Sequence, residues 1–347
     1  MVLLDATRLT LADNAKMMDP TGKMAVIANL LSQTNTILDD AVFIKANGKT
    51  YHRVNISVGL PEVYWTSVNV GTPPSKAKFA TVDEGMGLLE ARAETDIRAA
   101  QMSGNVNRYR MQQSMLHMEA MNQEMATTMF YGDTGVTSAA FVGLSGRYTN
   151  INNAANSANV LNCGGTTANQ QTSVWLIGWG PETVFCTYPE GSIAGLQHRN
   201  LGEQTAYFSD GTRMQVYSDI FNWSNGLVVK DWRYAVRIVN IDQTAIVNLG
   251  AVSASNDQSA TSTVGVLHRM AQALARIPNM GMCRPAFYMN RTVHTALMRV
   301  AMEKSSSVLT INQAVTQFGT PSSWLSFMGV PIRRCDSLLM SEDVVPQ

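Results

Sequence analysis

Charge is scarce in this sequence. Only 15% of its 347 residues are Asp, Glu, Lys or Arg, against about 25% in an average globular protein. A surface so poor in charge is one that other protein can cover, so the composition favours self-association. The charge that is present cancels, with 26 basic and 26 acidic residues. A dedicated nucleic-acid binder needs a net basic face to release counterions from phosphates. That class is excluded for the chain as a whole, and any DNA contact is expected to be weak and sequence-independent.

Other absences narrow the reading further. No apolar run approaches the roughly 18–20 residues of a membrane helix, and Met1 to Met24 has no signal-peptide core; no membrane partner is expected, and the chain is expected to be soluble and cytosolic when made. The four cysteines, Cys163, Cys186, Cys283 and Cys335, lie far apart with no Cys-x-x-Cys spacing. They indicate neither a zinc site nor a redox motif, and read as small core residues. The five histidines (His52, His117, His198, His268, His294) form no i, i+4 pair and no Glu-x-x-His. No glycine-rich phosphate loop of the Gly-Lys-Ser/Thr or Gly-x-Gly-x-x-Gly kind occurs. No cofactor, metal or catalytic residue is assigned. A hydrolase using Cys186 with His198 is the distant alternative, since nothing in the spacing brings a thiolate to a histidine.

What is present is an unusual order of elements. Residues 1–36 are small and polar, apart from the short amphipathic stretch Met24 to Leu31. Residues 37–86 read as extended. Asn47-Gly48 suits a tight turn between Val42–Ile44 and the alternating run Tyr51 to Val58. Leu60-Pro61 ends that run, Glu62 to Val70 continues extended, Gly71 to Ser75 is a loop tip, and Lys76 to Val82 returns. Residues 87–132 look helical, with Met111, Met115, Met118, Met121, Met125 and Met129 at spacings of three and four, expected to pack in a core. Gly104 is the expected bend and Gly132 the stop.

Residues 133–172 read as surface loop, with a polar stretch at 149–172. Ser173 to Ile177, Thr183 to Cys186 and Met214 to Tyr217 are expected strands, and Leu227–Val229 with Trp232–Ile241 an expected pair. Thr261 to Ile277 is amphipathic and Pro278 ends it. Pro285 to Met289 reads as a strand, Asn290 as the cap of a helix from Arg291 to Lys304, and Phe327 to Asp336 as a turn feeding a strand.

Four strings in this order carry a family resemblance: Lys45 to Arg53 with Leu60-Pro61 and Asn69 to Gly71; Gly226 to Tyr234 with Asn240 to Asp242; Phe287 to Arg291; and Met328 to Asp336. With them the chain resembles the major capsid proteins of tailed bacteriophages of the Hong Kong 97 type. The resemblance implies an α+β fold made of an N-terminal arm (1–36), an E-loop hairpin with its approach strands (37–86), a spine helix of the peripheral domain (87–132), an axial domain (133–310) and a return to the peripheral domain (311–347). It implies a shell of pentamers and hexamers of the chain around double-stranded DNA, formed in the host cytoplasm and ending in the virion. Scaffolding and portal proteins are implied partners, with a decoration protein possible. Because the chain begins almost at the arm, the scaffold is expected to be separate.

The side chains expected at contacts between subunits are Arg53, Val63, Tyr64, Trp65, Lys76, Lys78, Arg333 and Arg334. No acceptor matches Lys76 or Lys78, so the cross-linking chemistry of the type member is not carried over. An encapsulin-like compartment shell and another phage structural protein are the alternatives.

Overall fold

The computed structural model describes residues 33–151, 155–207, 211–247, 263–302, 309–315 and 321–346. The stretch Met24 to Leu31 and nearly all of the arm lie outside the described residues. Along the chain come α1 (Ile37–Asp40), β1 (Phe43–Lys45), β2 (Tyr51–Gly59), β3 (Lys78–Gly85), β4 (Gly87–Asp96), α2 (Ile97–Met102) and α3 (Val106–Tyr131). Then follow β5 (Val160–Asn162), β6 (Gln171–Trp179), β7 (Val184–Tyr188), β8 (Gln197–Tyr207), β9 (Arg213–Val229), β10 (Ala235–Asp242) and α4 (Gln243–Val247). The remainder is α5 (Thr263–Arg276), β11 (Arg284–Met289), α6 (Arg291–Met302), β12 (Leu309–Val315), β13 (Pro321–Phe327) and β14 (Val330–Arg334).

The core is built around β6, all nine residues of which are buried. Such a strand reads as a continuous apolar run because both of its faces are covered. β10 pairs antiparallel on one side, Ala235 against Ile177, and β11 antiparallel on the other, Phe287 against Leu176. Val266, Met270 and Ala273 of α5, Val293 and Leu297 of α6, and Met129 and Phe130 of α3 join the same cluster. Trp175 sits at its middle, with the Phe130 ring centroid at 6.2 Å and the Tyr148 ring edge-on at 5.8 Å.

Helix starts follow capping chemistry. Asp96, Asn105 and Asn290 accept hydrogen bonds through their side chains from the amides of Arg98, Arg108 and Thr292, at 2.8, 3.1 and 3.2 Å. Each satisfies one of the amides that a first turn leaves orphaned. The bend falls at Gly104, whose φ of +75° is cheap only for glycine.

Several expectations are corrected. Residues 87–96 are not helix: Gly87–Asp96 pairs antiparallel with Val216–Asn225 of β9 over ten residues, so the helical part starts at Ile97. Leu, Ala, Glu and Arg favour helix, but Leu89, Ala91, Ala93 and Thr95 alternate with Glu90, Arg92 and Glu94, and a long partner strand wins. Asn47-Gly48 does not join two paired strands. β1 runs parallel to β7, while β2 pairs with β3. Leu227–Val229 and the strand after Trp232 do not pair with each other; β9 joins β7, and β10 joins β6 and β5. The 133–172 segment is not only surface, because Phe141, Leu144, Tyr148, Val160 and Leu161 are buried. The methionine stripe is core only in its second half: Met121, Met125 and Met129 are buried, whereas Met111 and Met115 are exposed.

Candidate assembly interface

The β2–β3 hairpin is a two-stranded sheet of its own, outside the twelve-stranded main sheet. Two strands in water are marginally stable by themselves, so the base must be held. Val54 packs with Phe185 of β7 and Val228 of β9. The His52 ring meets Phe185 edge-on with centroids 5.5 Å apart. Burial, with the nearby Lys230 cation, lowers the His52 pKa. Beside it, Arg147 forks onto Glu84 of β3 at 2.5 and 2.7 Å, and its guanidinium also donates to the Leu227 carbonyl at 3.3 Å. Glu84 is 8% exposed, so this bidentate pair is largely out of water.

Beyond the base, the hairpin is exposed. Arg53 and Asp83 face each other across it in a bidentate pair at 2.7 and 2.8 Å, open to solvent. The hydrogen bond from Arg53 holds the Asp83 carboxyl below its ordinary pKa. Residues 60–77 form no strand. The tip is tied within itself: Ser75 Oγ donates to the Glu62 carbonyl at 2.7 Å, Thr66 Oγ1 to the Val70 carbonyl at 3.0 Å, and the Tyr64 hydroxyl to the Glu62 carboxylate. On this ordered loop Val63 is 91% exposed, Trp65 105% and Val68 88%. Lys76 and Lys78 are exposed where the chain returns.

The two remaining predicted residues lie far from this tip in sequence, on β14. Arg333 pairs with Asp40 of α1 at 3.2 Å, and Arg334 with Asp336 at 2.5 Å. β14 itself runs parallel to β11. The structure thus groups Val63, Tyr64, Trp65 and Lys76 on one loop, places Lys78 at the start of β3 and Arg53 in the hairpin below, and separates Arg333 and Arg334 onto the main sheet, each with a carboxylate of its own chain.

Sequence reasoning missed a buried clasp on the tail. Glu342 accepts from Arg237 Nη2 at 3.1 Å, and from the hydroxyls of Ser173 and Tyr131. Its backbone pairs with Gln171. Arg237 also donates to the Tyr148 carbonyl at 3.0 Å and stacks over Trp175. One carboxylate thereby joins the end of α3, the central strand and the tail. The acid at position 342 carries no local signal of such burial.

The hydrolase pair does not form. Cys186 is fully buried, which pushes its thiol up to about 12, and its neighbour is Asn225. The His198 ring instead bonds Asp219 at 3.0 Å and stacks on Phe221. Among the described residues, no group of three or more His, Cys, Asp or Glu is placed to hold a metal ion.

The model of the family described as major capsid protein GP7 matches residues 19–346. This chain belongs to that family. Among solved structures it is similar to the cryo-EM structure of bacteriophage Epsilon15, with 27% identity and a TM-score of 0.74 over 99% of each chain. Two more distant likenesses are a chain of Mycobacterium phage Bobi (9% identity, TM-score 0.42, 67% of this chain and 98% of that one) and the SrpI encapsulin of Synechococcus elongatus (11%, 0.44, 68% and 96%). No curated protein sequence matches. The fold is the α+β capsid fold of the Hong Kong 97 type. As a major capsid protein, the chain builds a bacteriophage shell from copies of itself and resides in the virion capsid.

Proposed function

We propose that this major capsid protein closes an icosahedral shell of pentamers and hexamers around double-stranded DNA, and that the β2–β3 hairpin ties each subunit to its neighbour. One observation carries the second part. An ordered loop on a hairpin outside the main sheet presents Val63, Trp65 and Val68 almost wholly to solvent. Apolar side chains gathered on a projecting element mark a contact surface, and aromatic anchors at the centre of a contact dominate its energy. Lys76, Lys78 and Arg53 would form the polar rim, with Tyr64 beside Trp65. Arg333 and Arg334, each already paired, would serve a second contact from β14. Shell contacts are individually weak and sum through repetition.

The wider roles follow from the same reading. Assembly takes place in the host cytoplasm with a scaffolding protein and a portal protein, and the outer surface is open to a decoration protein. DNA is touched non-specifically, as a zero net charge requires. The role is structural and not catalytic. The test replaces residues 61–76 by an Asn-Gly turn, which leaves β2 and β3 joined. The variant subunit should fold with an unchanged circular dichroism spectrum and form no closed particles by negative-stain microscopy with scaffold present. Normal particles from it would overturn the hairpin's role.

A further inference from the structure

The zero net charge hides a segregation. Residues 258–335 hold eight Lys and Arg against a single acid, Glu303, and the balancing acids are scattered over the rest of the chain. This stretch folds as α5, β11, α6, β12, β13 and β14. Arg333 and Arg334 of β14 are already paired with carboxylates. Arg269, Arg276, Arg284, Arg291 and Arg299 make no salt bridge among the described residues.

The fold turns these five outward. α5 buries Val266, Met270 and Ala273, and α6 buries Val293, Leu297 and Val300, in one core cluster. Arg276, Arg291 and Arg299 lie off these buried stripes and are exposed, Arg284 is exposed where β11 starts, and Arg269 is half-buried. α4 touches both α6 and β10, the strand that α5 packs on, and so links the two helices. Helix dipoles explain part of the set. Arg276 and Arg299 sit in last turns, where a cation is favoured. Arg291 opens α6, the end where a cation is disfavoured. Its charge reaches Asp336, but Arg334 already holds that carboxylate at 2.8 and 2.5 Å. On α5, burial together with the Arg269 cation lowers the Arg276 pKa. Two like charges thus stand near each other with no carboxylate bonded to either among the described residues, an arrangement that an anion relieves.

We propose that this surface meets the phosphate backbone of packaged double-stranded DNA, and hence that the outer faces of α5 and α6 line the inside of the shell. The occupant follows from charge. A second copy offers no acidic stretch as concentrated as this basic one, whereas duplex DNA carries one charge per about 1.7 Å of its axis. Guanidinium groups pair bidentately with phosphate oxygens. The contact needs no base sequence, and its affinity must fall with salt as counterions are released. The inference rests on the shell being a container for DNA.

The test measures binding of a short fluorescent duplex to unassembled full-length subunits across a series of salt concentrations. Arg276→Gln with Arg291→Gln should make the slope of log affinity against log salt shallower by about 2. Arg269→Gln with Arg299→Gln should do the same, so a folding failure in one pair leaves the other readable. Arg98→Gln with Arg108→Gln removes two exposed arginines elsewhere and should leave the slope unchanged. Equal slopes in all variants, or an equal loss in the control pair, would overturn the proposal. So would tighter binding of a polyglutamate peptide of matched charge than of the duplex, which would give the surface to an acidic protein segment. Nuclease-protected DNA in purified particles is scored separately, so failure of the container reading and failure of this surface are told apart.

Discussion

The hairpin and the central sheet use the same building material in opposite ways. In β6, Trp175 and Trp179 are 0% and 1% exposed. At the hairpin tip, Trp65 is fully exposed on a loop held by its own hydrogen bonds. The central strand is stabilised by what the subunit itself buries, whereas the tip gains nothing until another molecule covers it. The comparison separates residues that make the subunit from residues proposed to join it to its neighbours.

Four tests sharpen that separation. Trp175→Ala should destabilise the subunit by about 3–5 kcal/mol, as large-to-small changes in a core do. Trp65→Ala should leave the denaturation midpoint unchanged and reduce particle yield. Equal destabilisation by both would erase the distinction. Glu342→Ala leaves the Arg237 cation buried without its partner, which costs about 3–5 kcal/mol, measured by urea denaturation. A loss under 1 kcal/mol would show that the tail is not a clasp.

Arg147→Met strands Glu84 at the hairpin base and should cost about 1–3 kcal/mol, with faster amide exchange in Tyr51–Gly59. Arg53→Gln, at an exposed pair higher up, should cost less than Arg147→Met does. Reversal of that order would put the hairpin's support at its middle and not at its base.

The smallest effect is expected from pH. Burial lowers the His52 pKa, so below about 6.5 the unfolded chain takes up a proton that the folded base resists. Stability contributed there is full above that pH and declines as pH falls toward the lowered value. The protection of β2 amides, taken relative to the intrinsic exchange rate at each pH, should be lower at pH 5.5 than at pH 7.5, and His52→Phe should remove that loss of protection.

Much of this was legible before any coordinates, for reasons of local chemistry. Pro278 and Asn290 mark helix ends because one lacks an amide proton and the other accepts one. Gly104 marks the bend because of its positive φ. The tip residues Val63 to Trp65 stood out as apolar groups in a segment too poor in neighbours to bury them. Other features left no such trace. β8 is largely polar, and it pairs with β9 along its length. Asn47, expected in a hairpin turn, instead bonds both the amide and the carbonyl of Arg53 at 2.8 Å, starting β2.

The sequence by itself marked several helix ends, the apolar strand at the centre and the apolar side chains of the tip. These follow from periodicity, proline, glycine and capping, which act over a few residues. Only the tertiary structure decided that Gly87–Asp96 is a strand, that half of the methionine stripe is bare, that Arg333 answers Asp40, and that Glu342 meets Arg237. Those outcomes depend on partners tens to hundreds of residues away. A local propensity of a few tenths of a kcal/mol per residue yields to a ten-residue strand pairing, and a buried charge is set by whichever opposite charge the fold delivers to it.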